Sequence, residues 1–345
     1  MGISIAKVEN SVSIRRPLFL SLILAVATIS PPASSSAWAK EPAVKQFVIV
    51  SFDGAHNNAL WDKSRSIAKR TGAQFTYFLS CTFLMTRKNR ATYHAPGQKV
   101  GQSNVGFAAN EPEVRQRLEH IWTARAEGHE IASHGCGHFD GKSWSQQDWT
   151  AELSAFSLAL DKAWQRIGAA KAEPEGWSDF ARRDIVGFRA PYLSVNGNMT
   201  AALKEAGYAY DASGVSRGPA MPRQIGDFIT FDLPLINEGP KNRRVIAMDY
   251  NLFVRHSGGL ENPSKSDIYE ERSYDAFRKA FDEQYQGERR PLQLGFHFVE
   301  MNGGAYWRAM ERLLNDVCGL PDVACVSYRD AIEQMKLQQN GDGGA

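Results

Sequence analysis

The chain has 345 residues, of which 43% are hydrophobic and 23% charged, so it is long enough for one large domain or two small ones. Its formal net charge is only +2, and no basic stripe stands out, which excludes the electrostatic footprint of a nucleic-acid-binding protein. No stretch after residue 39 is apolar for long enough to span a bilayer, so we predict no membrane partner for the mature chain.

Residues 1–39 have the pattern of a signal peptide. Arg15-Arg16 precede an uncharged apolar stretch at 17–29, and Ala37-Trp38-Ala39 fits the small-x-small pattern of a cleavage site. The apolar stretch is too short to cross a bilayer as a helix. The sequence therefore predicts a periplasmic or secreted protein, and the paired arginines leave the twin-arginine export route open.

In the next part of the chain, short apolar runs alternate with longer segments of helical period. The predicted strands are QFVIVSF (46–52), AQFTYFLS (73–80), HEIAS (129–133), IVGFR (185–189) and YAYDA (208–212). The predicted helices are 59–70, 113–128, 146–167 and 198–207. This alternation predicts an α/β fold with parallel strands and right-handed crossovers, either open or closed into a barrel.

The second half is less regular, and the segments at 80–110 and 213–227 are predicted to be loops. The predicted strands are FITFDLPLI, RRVIAMDYNLFV, PLQLGFHFV and ACVSY, and the predicted helices are 272–286, 304–316 and 329–337. No linker divides the chain, so we predict one catalytic domain over 40–338. The remaining residues, 339–345, are predicted to form a disordered tail.

Four cysteines in an exported chain suggest disulfide pairing. The segment CGLPDVAC contains a Gly and a Pro that let the chain turn back, so Cys318–Cys325 is the favoured bridge. A bridge between Cys81 and Cys136 remains open, because each of these residues can also be a buried free thiol.

Polar or reactive side chains follow the predicted strands at the same end. They are Asp53, Cys81, His134, Arg189, Asp211 and His297. The carboxyl ends of parallel strands form one face, and active sites are built there. The sequence therefore predicts that these residues meet at one site.

Two of the histidines have the spacing of a metal-ligand pair. In GHEIASHGCGH, His134 and His138 are four residues apart, so on one helical turn both imidazoles can face one ion. Gly135 and Gly137 allow a tight turn out of the strand. The pattern alone is also compatible with two surface histidines that bind no metal.

The order of five short motifs resembles that of polysaccharide deacetylases, carbohydrate esterase family 4 or the NodB-homology group. The motifs are SFDGA (51–55), SHGCGH (133–138), FRAPYL (188–193), YDAS (210–213) and LGFHF (294–298). FDGAHNN is most similar to the chitin-deacetylase-like branch. The resemblance extends from about residue 46 to 335, and it implies a distorted (β/α)7 barrel.

The resemblance also implies a role for each matching residue. Asp53 corresponds to the general base, and His297 corresponds to the general acid. His134 and His138 correspond to ligands of a divalent metal, most often zinc, which acidifies bound water to a pKa of about 7. The other assignments are Arg189 as the residue that orients the base, the Tyr192 N–H after Pro191 as an oxyanion donor, and Asp211 as a residue that orients His297.

The chain departs from the family pattern at Gly54, where the family has its third metal ligand, an aspartate. If the motif is shifted by one residue, Asp53 becomes the ligand and Phe52 occupies the position of the base, so one role is always vacant. His56 or Asn57 is a candidate replacement ligand. A substrate contact or a solvent-facing loop is the alternative interpretation of His56.

Three functions are compatible with this pattern. The first is an exported hydrolase that removes acetyl groups from an N- or O-acetylated polysaccharide by metal-activated water. The second is an amide hydrolase of the same fold that acts on a small molecule, without metal. The third is a carbohydrate-binding protein that has lost turnover, which Gly54 suggests. The export signal favours the first.

A few other residues have competing interpretations. Trp307, soon after His297, either lines the substrate groove or packs in the core, and Asp249 in AMDYN is either a second acidic site residue or a structural one. The remaining histidines considered have no partner pattern, and we interpret them as packing or surface residues: His94, His120, His129 and His256.

Overall fold

The first strand, β1 (Gln46–Gly54), is buried along nearly its whole length. Val48 and Phe52 pack on one face of the sheet within the largest hydrophobic cluster, whereas Phe47 and Ile49 belong to a second cluster on the other face. Because side chains alternate along a strand, Asp53 points to the same face as Phe47 and Ile49. The structure, a computed structural model, describes residues 44–342, so the predicted signal peptide lies outside the described residues.

The strands form one strongly curved sheet. After β1 they are β2 (Thr76–Leu79), β3 (Glu130–Ser133), β4 (Gly187–Phe188), β5 (Tyr210–Ser216), β6 (Arg223–Ile225), β7 (Phe228–Glu238), β8 (Arg243–Ile246), β9 (Leu292–His297) and β10 (Val323–Cys325). Their order is β10-β1-β2-β3-β4-β5-β7-β6, with β9 paired to β1 and β8 paired to β7. A bridge between Met248, just after β8, and Gly295 of β9 brings the two sides together.

This arrangement confirms the predicted distorted barrel. The strands β1, β2, β3, β4, β5, β7 and β9 run parallel, as predicted. The sequence did not predict that β6 and β8 pair antiparallel with β7.

The helices pack around the sheet. They are α1 (Asn58–Thr71), α2 (Glu111–Ala126), α3 (Gln146–Asp161), α4 (Ala163–Arg166), α5 (Trp177–Asp179), α6 (Gly197–Glu205), α7 (Asp249–Ser257), α8 (Ser266–Tyr285), α9 (Ala305–Val317) and α10 (Tyr328–Asp342). Side-chain caps set several starts: Asn57 accepts from two amides of α1, and Ser145 forms a capping box with Asp148 at the start of α3. None of the helices described is both long and apolar enough to span a membrane.

Two elements differ from the predictions. The segment RRVIAMDYNLFV is not one strand, because β8 ends at Ile246 and α7 begins at Asp249. The buried residues of α7, Asp249, Leu252 and Phe253, have the i, i+3, i+4 spacing of a helix that packs on one face. At the C-terminus, α10 spans Tyr328–Asp342, which is longer than the predicted helix at 329–337.

The four cysteines form two disulfides. Cys318–Cys325 is the bridge that the sequence favours, and it is confirmed. Cys81–Cys136 resolves the alternative that was left open, since it joins the end of β2 to the turn between His134 and His138. The second bridge therefore constrains the predicted site directly.

Replacement of both Cys81 and Cys136 with serine is expected to lower the free energy of unfolding by about 4 kcal/mol, because their bridge closes a loop with a sequence separation of 55. The matched control replaces Cys318 and Cys325, whose separation is 7, and should cost about 2 kcal/mol. Denaturant unfolding of both double variants measures the difference. Equal losses of unfolding free energy in the two double variants would contradict this prediction.

Candidate active site

The predicted site residues meet at the carboxyl ends of the parallel strands. The strand register explains this, because Asp53 of β1 is level with His297 of β9, and Ser133 of β3 is level with Phe188 of β4. His134 and Arg189, which follow those two positions, therefore emerge side by side. A cavity of about 220 Å³ opens here, and its lining includes Asp53, His134, His138 and His297.

Asp53 and Arg189 form a buried ion pair. Nη1 of Arg189 donates to Oδ1 of Asp53 at 2.9 Å, and the arginine side chain is fully buried. Burial alone would raise the pKa of Asp53, but the positive charge of Arg189, together with those that His134 and His297 carry when protonated, holds that pKa below its usual value. Asp53 is therefore a carboxylate at neutral pH, as a general base must be.

Further contacts fix the guanidinium of Arg189 inside the barrel. Nε donates to the carbonyl of Ala212 at 3.0 Å, Nη1 also donates to Ser51, and Nη2 donates to the Tyr328 hydroxyl at 2.8 Å. The ring of Phe78 lies 4.4 Å from the guanidinium carbon. With every donating nitrogen engaged in this way, Arg189 holds the Asp53 carboxylate in one orientation.

His134 and His138 face each other across the cavity, with ring centroids 5.1 Å apart. Nδ1 of His134 lies 2.7 Å from the carbonyl oxygen of Arg189, to which it donates, so Nε2 is the nitrogen with a lone pair. Burial lowers the pKa of His134 to about 3 and also lowers the pKa of His138. Both imidazoles are therefore neutral at pH 7, which is the form that binds metal.

A buried carboxylate that the sequence did not single out supports this histidine turn. Oε1 of Glu152, on α3, accepts from the backbone N–H of Cys136 at 2.7 Å and from that of Gly137 at 3.3 Å. The hydroxyl of Tyr93 donates to Glu152 and accepts from the Gly137 amide. The sequence does not identify Glu152 as part of the site, because it occupies one of several polar positions in an amphipathic helix.

Asp249 is the partner of His297. Its Oδ1 lies 2.7 Å from Nδ1 of His297, and its Oδ2 accepts the backbone N–H of the same residue at 2.8 Å. Asp249 is fully buried at the start of α7. Burial alone would lower the pKa of His297, but the charge of Asp249 and its hydrogen bond raise that pKa above its usual value. Of the two interpretations of Asp249, the structure supports the one that gives it a place in the site.

The prediction that Asp211 orients His297 is wrong. The Asp211 carboxylate accepts from the backbone N–H and the hydroxyl of Ser213, and the Ser213 hydroxyl in turn accepts the backbone N–H of Ala190. Burial raises the pKa of Asp211 to about 6. Asp211 therefore braces the strand end that carries Arg189, while Asp249 contacts His297.

Of the two interpretations of Trp307, the structure supports packing in the core and not a place in the substrate groove. Its side chain is 1% exposed and packs against Phe52, with ring centroids 4.8 Å apart. Its Nε1 donates to the backbone carbonyl of His297 at 3.1 Å. Trp307 is a core residue that holds the end of β9 in place, because the amphipathic pattern of α9 turns its ring inward.

The segment after Arg189 adopts an unusual backbone conformation. Following Pro191, φ is positive at both Tyr192 (58°) and Leu193 (54°), a region that non-glycine residues rarely occupy. Such strain often occurs at functional sites. The ring of Tyr192 contacts that of His138, with centroids 4.7 Å apart. The role of the Tyr192 N–H as an oxyanion donor stays a prediction.

The donor set fits a metal ion only in part. His134 and His138 are two neutral imidazoles at one cavity, whereas catalytic zinc sites have three protein ligands. Within residues 44–342 no group of three or more His, Cys, Asp or Glu side chains is arranged to hold a metal ion. At Gly54 an added Cβ would be in ordinary van der Waals contact with a Phe83 ring atom at 3.8 Å, and the glycine itself supplies no ligand atom from a side chain.

Neither predicted replacement ligand completes the site. His56 lies on the cavity wall and its ring stacks on that of Phe83, with centroids 4.8 Å apart. Asn57 uses its side-chain oxygen to cap α1. The cap at α1 engages the oxygen that Asn57 would offer as a ligand, whereas the role of His56 as the third ligand stays a prediction beside its alternative, a contact with substrate or solvent.

Comparisons with known proteins agree with the sequence resemblance. No family model matches the chain. Chitin deacetylase 1 of Bombyx mori is 26% identical over 195 residues, which cover 49% of this chain, and the chain spans about a third of that relative's length (33%). A crystal structure of a protein described as a polysaccharide deacetylase from Mycobacterium smegmatis is 17% identical, covers 87% of this chain and 93% of its own, and has a TM-score of 0.52. The fold is that of polysaccharide deacetylases.

Proposed function

We propose that this protein is an exported hydrolase that removes acetyl groups from an acetylated polysaccharide, in the manner of carbohydrate esterase family 4 and its chitin-deacetylase-like branch. One observation carries the proposal: Asp53, His134, His138 and His297, which come from strands far apart in the sequence, line a single cavity. The cavity contains a carboxylate whose pKa Arg189 holds below its usual value and a histidine whose pKa Asp249 raises above its usual value. These shifts favour the base form of the carboxyl and the acid form of the imidazole, the two forms that base-then-acid hydrolysis of an acyl group uses.

In the proposed mechanism Asp53 takes a proton from the attacking water while Arg189 holds its carboxylate in place. His297, whose protonated form the Asp249 carboxylate stabilises, then donates a proton to the leaving atom, an amine nitrogen for an amide or a sugar oxygen for an ester. The Tyr192 N–H is the proposed donor to the oxyanion. A divalent cation held by His134 and His138 would polarise the acyl carbonyl.

The substrate class and the location rest on two further observations. The sequence relative is named a chitin deacetylase, which makes an N-acetylated glycan the first substrate to test. Both disulfides support an oxidising compartment, in agreement with the signal peptide predicted for residues 1–39.

Acetate release from acetylated chito-oligomers and from peptidoglycan tests the proposal. We expect the wild-type mature protein to release acetate from at least one of them, and a chelator to abolish release. Because only two imidazoles are present where three ligands are usual, we expect metal to be lost on simple dialysis. Turnover that survives a chelator would contradict the metal-dependent form and favour the metal-independent hydrolase.

Metal analysis of two variants tests the ligand assignment separately. In titrations with added metal and without dialysis, we expect His134→Ala not to bind metal, and we expect His56→Ala, the matched control from the same cavity wall, to bind it as the wild type does. If His56→Ala also lost its metal, His56 would be the third ligand, contrary to its stacking on Phe83.

A second candidate function has one observation in its favour. The open third ligand position at Gly54 suits a carbohydrate-binding protein that has lost turnover. The two candidates differ in one measurement: retained binding of an acetylated oligomer without any acetate release, at every metal tested, would favour the binding protein.

A further inference from the structure

The catalytic cavity is too small to enclose a polysaccharide repeat with its neighbours. Its volume of about 220 Å³ is below the roughly 300–1,000 Å³ of pockets that bury a whole small-molecule ligand. If the protein acts on a glycan, as proposed above, the cavity takes the acetyl group and part of one ring. The adjoining sugars must then lie on the surface around the rim.

Two exposed aromatic side chains lie beside this cavity, one next to His138 and the other next to His297. Tyr192 is 59% exposed and its ring contacts that of His138, and Tyr250 is 52% exposed with its ring centroid 6.1 Å from that of His297. A tyrosine ring combines a large apolar surface with a polar tip, and such rings are enriched at binding interfaces. Two such rings at one site indicate a surface kept open for a ligand.

Tyr250 is held more firmly than an exposed loop residue would be. It is the second residue of α7, directly after Asp249, whose carboxylate fixes His297. Its ring lies next to that of the buried Phe253 on the same helix, with centroids 6.3 Å apart. Since the helix start is anchored to His297 through Asp249, whose carboxylate also accepts the Tyr250 backbone N–H, the backbone of Tyr250 keeps a fixed position relative to the proposed acid.

We propose that Tyr250 is a stacking platform for a pyranose ring on the leaving-group side of the site, so that the preferred substrate is an oligosaccharide rather than a single sugar. The argument rests on the proposed function, because the atom that His297 protonates is bonded to the sugar ring. That ring or its neighbour along the chain therefore lies beside His297, near the exposed ring of Tyr250. The apolar C–H face of a pyranose complements an aromatic face.

The test uses the mature protein with the tetramer of N-acetylglucosamine, with binding measured by calorimetry and turnover by acetate release. We expect Tyr250→Ala to raise both Kd and KM for the tetramer about fivefold, the factor that corresponds to about 1 kcal/mol. Tyr250→Phe should bind as the wild type does, since the ring is retained. Ile268→Ala, which removes an exposed apolar side chain on α8 outside the cavity lining, is the control.

Several results would overturn the inference. An unchanged Kd in Tyr250→Ala would contradict the role of Tyr250 as a stacking platform. A shift of the alkaline limb of the pH–kcat profile without a change in KM would also contradict it, because such a shift means that Tyr250 acts through His297. Binding that depends on Tyr250 without any acetate release contradicts the proposed function and keeps the platform. A wild-type protein that neither binds nor deacetylates the tetramer contradicts both.

Discussion

Replacement of Asp53 with asparagine is expected to lower kcat for acetate release by a factor on the order of 10² to 10⁴, the contribution of a positioned general base. Asparagine has the same shape and keeps an oxygen that can accept from Nη1 of Arg189. What disappears is the negative charge and the ability to take a proton from water. Steady-state kinetics at neutral pH measure the loss.

The control for this variant is Asp211→Asn, a second buried carboxylate at the same end of the barrel. Burial already raises the pKa of Asp211 to about 6, and its partners are the Ser213 amide and hydroxyl, so the neutral amide is a mild change there. Asp53→Asn also leaves the buried Arg189 charge without its partner, which costs stability. Thermal unfolding must therefore accompany the kinetics. Equal losses of kcat in the two folded variants would contradict the assignment of the base.

Much of the barrel is visible in the sequence because a parallel strand buried on both faces leaves a clear pattern. QFVIVSF is apolar on both faces, and the structure buries β1 throughout. The failure at RRVIAMDYNLFV has a physical cause. Two apolar clusters with strand-like and helix-like spacing run together there without a Gly or Pro, and only tertiary packing separates β8 from α7.

The candidate site, like the fold, was predictable only in part. Asp53, His134, Arg189 and His297 were identifiable because each follows a strand, and strand ends of a parallel sheet meet at one face. Asp249 was weakly marked, because it begins a helix within the misread segment and reaches His297 across 48 positions. Trp307 was left ambiguous because exposure is decided by which face of α9 turns inward. Residue type and spacing identify the side chains that line the site, but they do not identify the residues, such as Asp249, that hydrogen-bond to those side chains and orient them.

The third ligand shows a further limit of the sequence. Gly54 marks a missing carboxylate, and proximity in the chain suggests His56 and Asn57 as substitutes. In the folded chain Asn57 caps α1, and the His56 carbonyl accepts from Nε of Arg117 at 2.7 Å while its ring stacks on Phe83. Neighbours in sequence are thus committed to local structure, which is why proximity along the chain is poor evidence for coordination.

Replacement of Asp249 with asparagine is expected to move the alkaline limb of the pH–kcat profile to lower pH by about 1 to 3 units, the usual effect of one nearby opposite charge. In the wild type, Asp249 raises the pKa of His297, so the acid form persists to higher pH and turnover falls only as pH rises through that raised value. The stability that this pair contributes is likewise present at low pH and lost over the same rise. The variant lacks the charge, so at pH values above the His297 pKa of both proteins it should be slower than the wild type by about tenfold or more, since one pKa unit is a factor of ten.

Glu238→Gln provides the matched control, since Glu238 pairs with the buried His256 at 3.1 Å and neither residue lines the catalytic cavity. That variant removes an equally buried carboxylate beside a histidine, so it should lower the unfolding temperature without moving the pH–kcat profile. The comparison separates a general effect of losing a buried ion pair from a change at the acid itself. An alkaline limb that stays in place in Asp249→Asn, while turnover falls equally at every pH, would mean that Asp249 only holds the backbone of His297 and that the proton comes from another group.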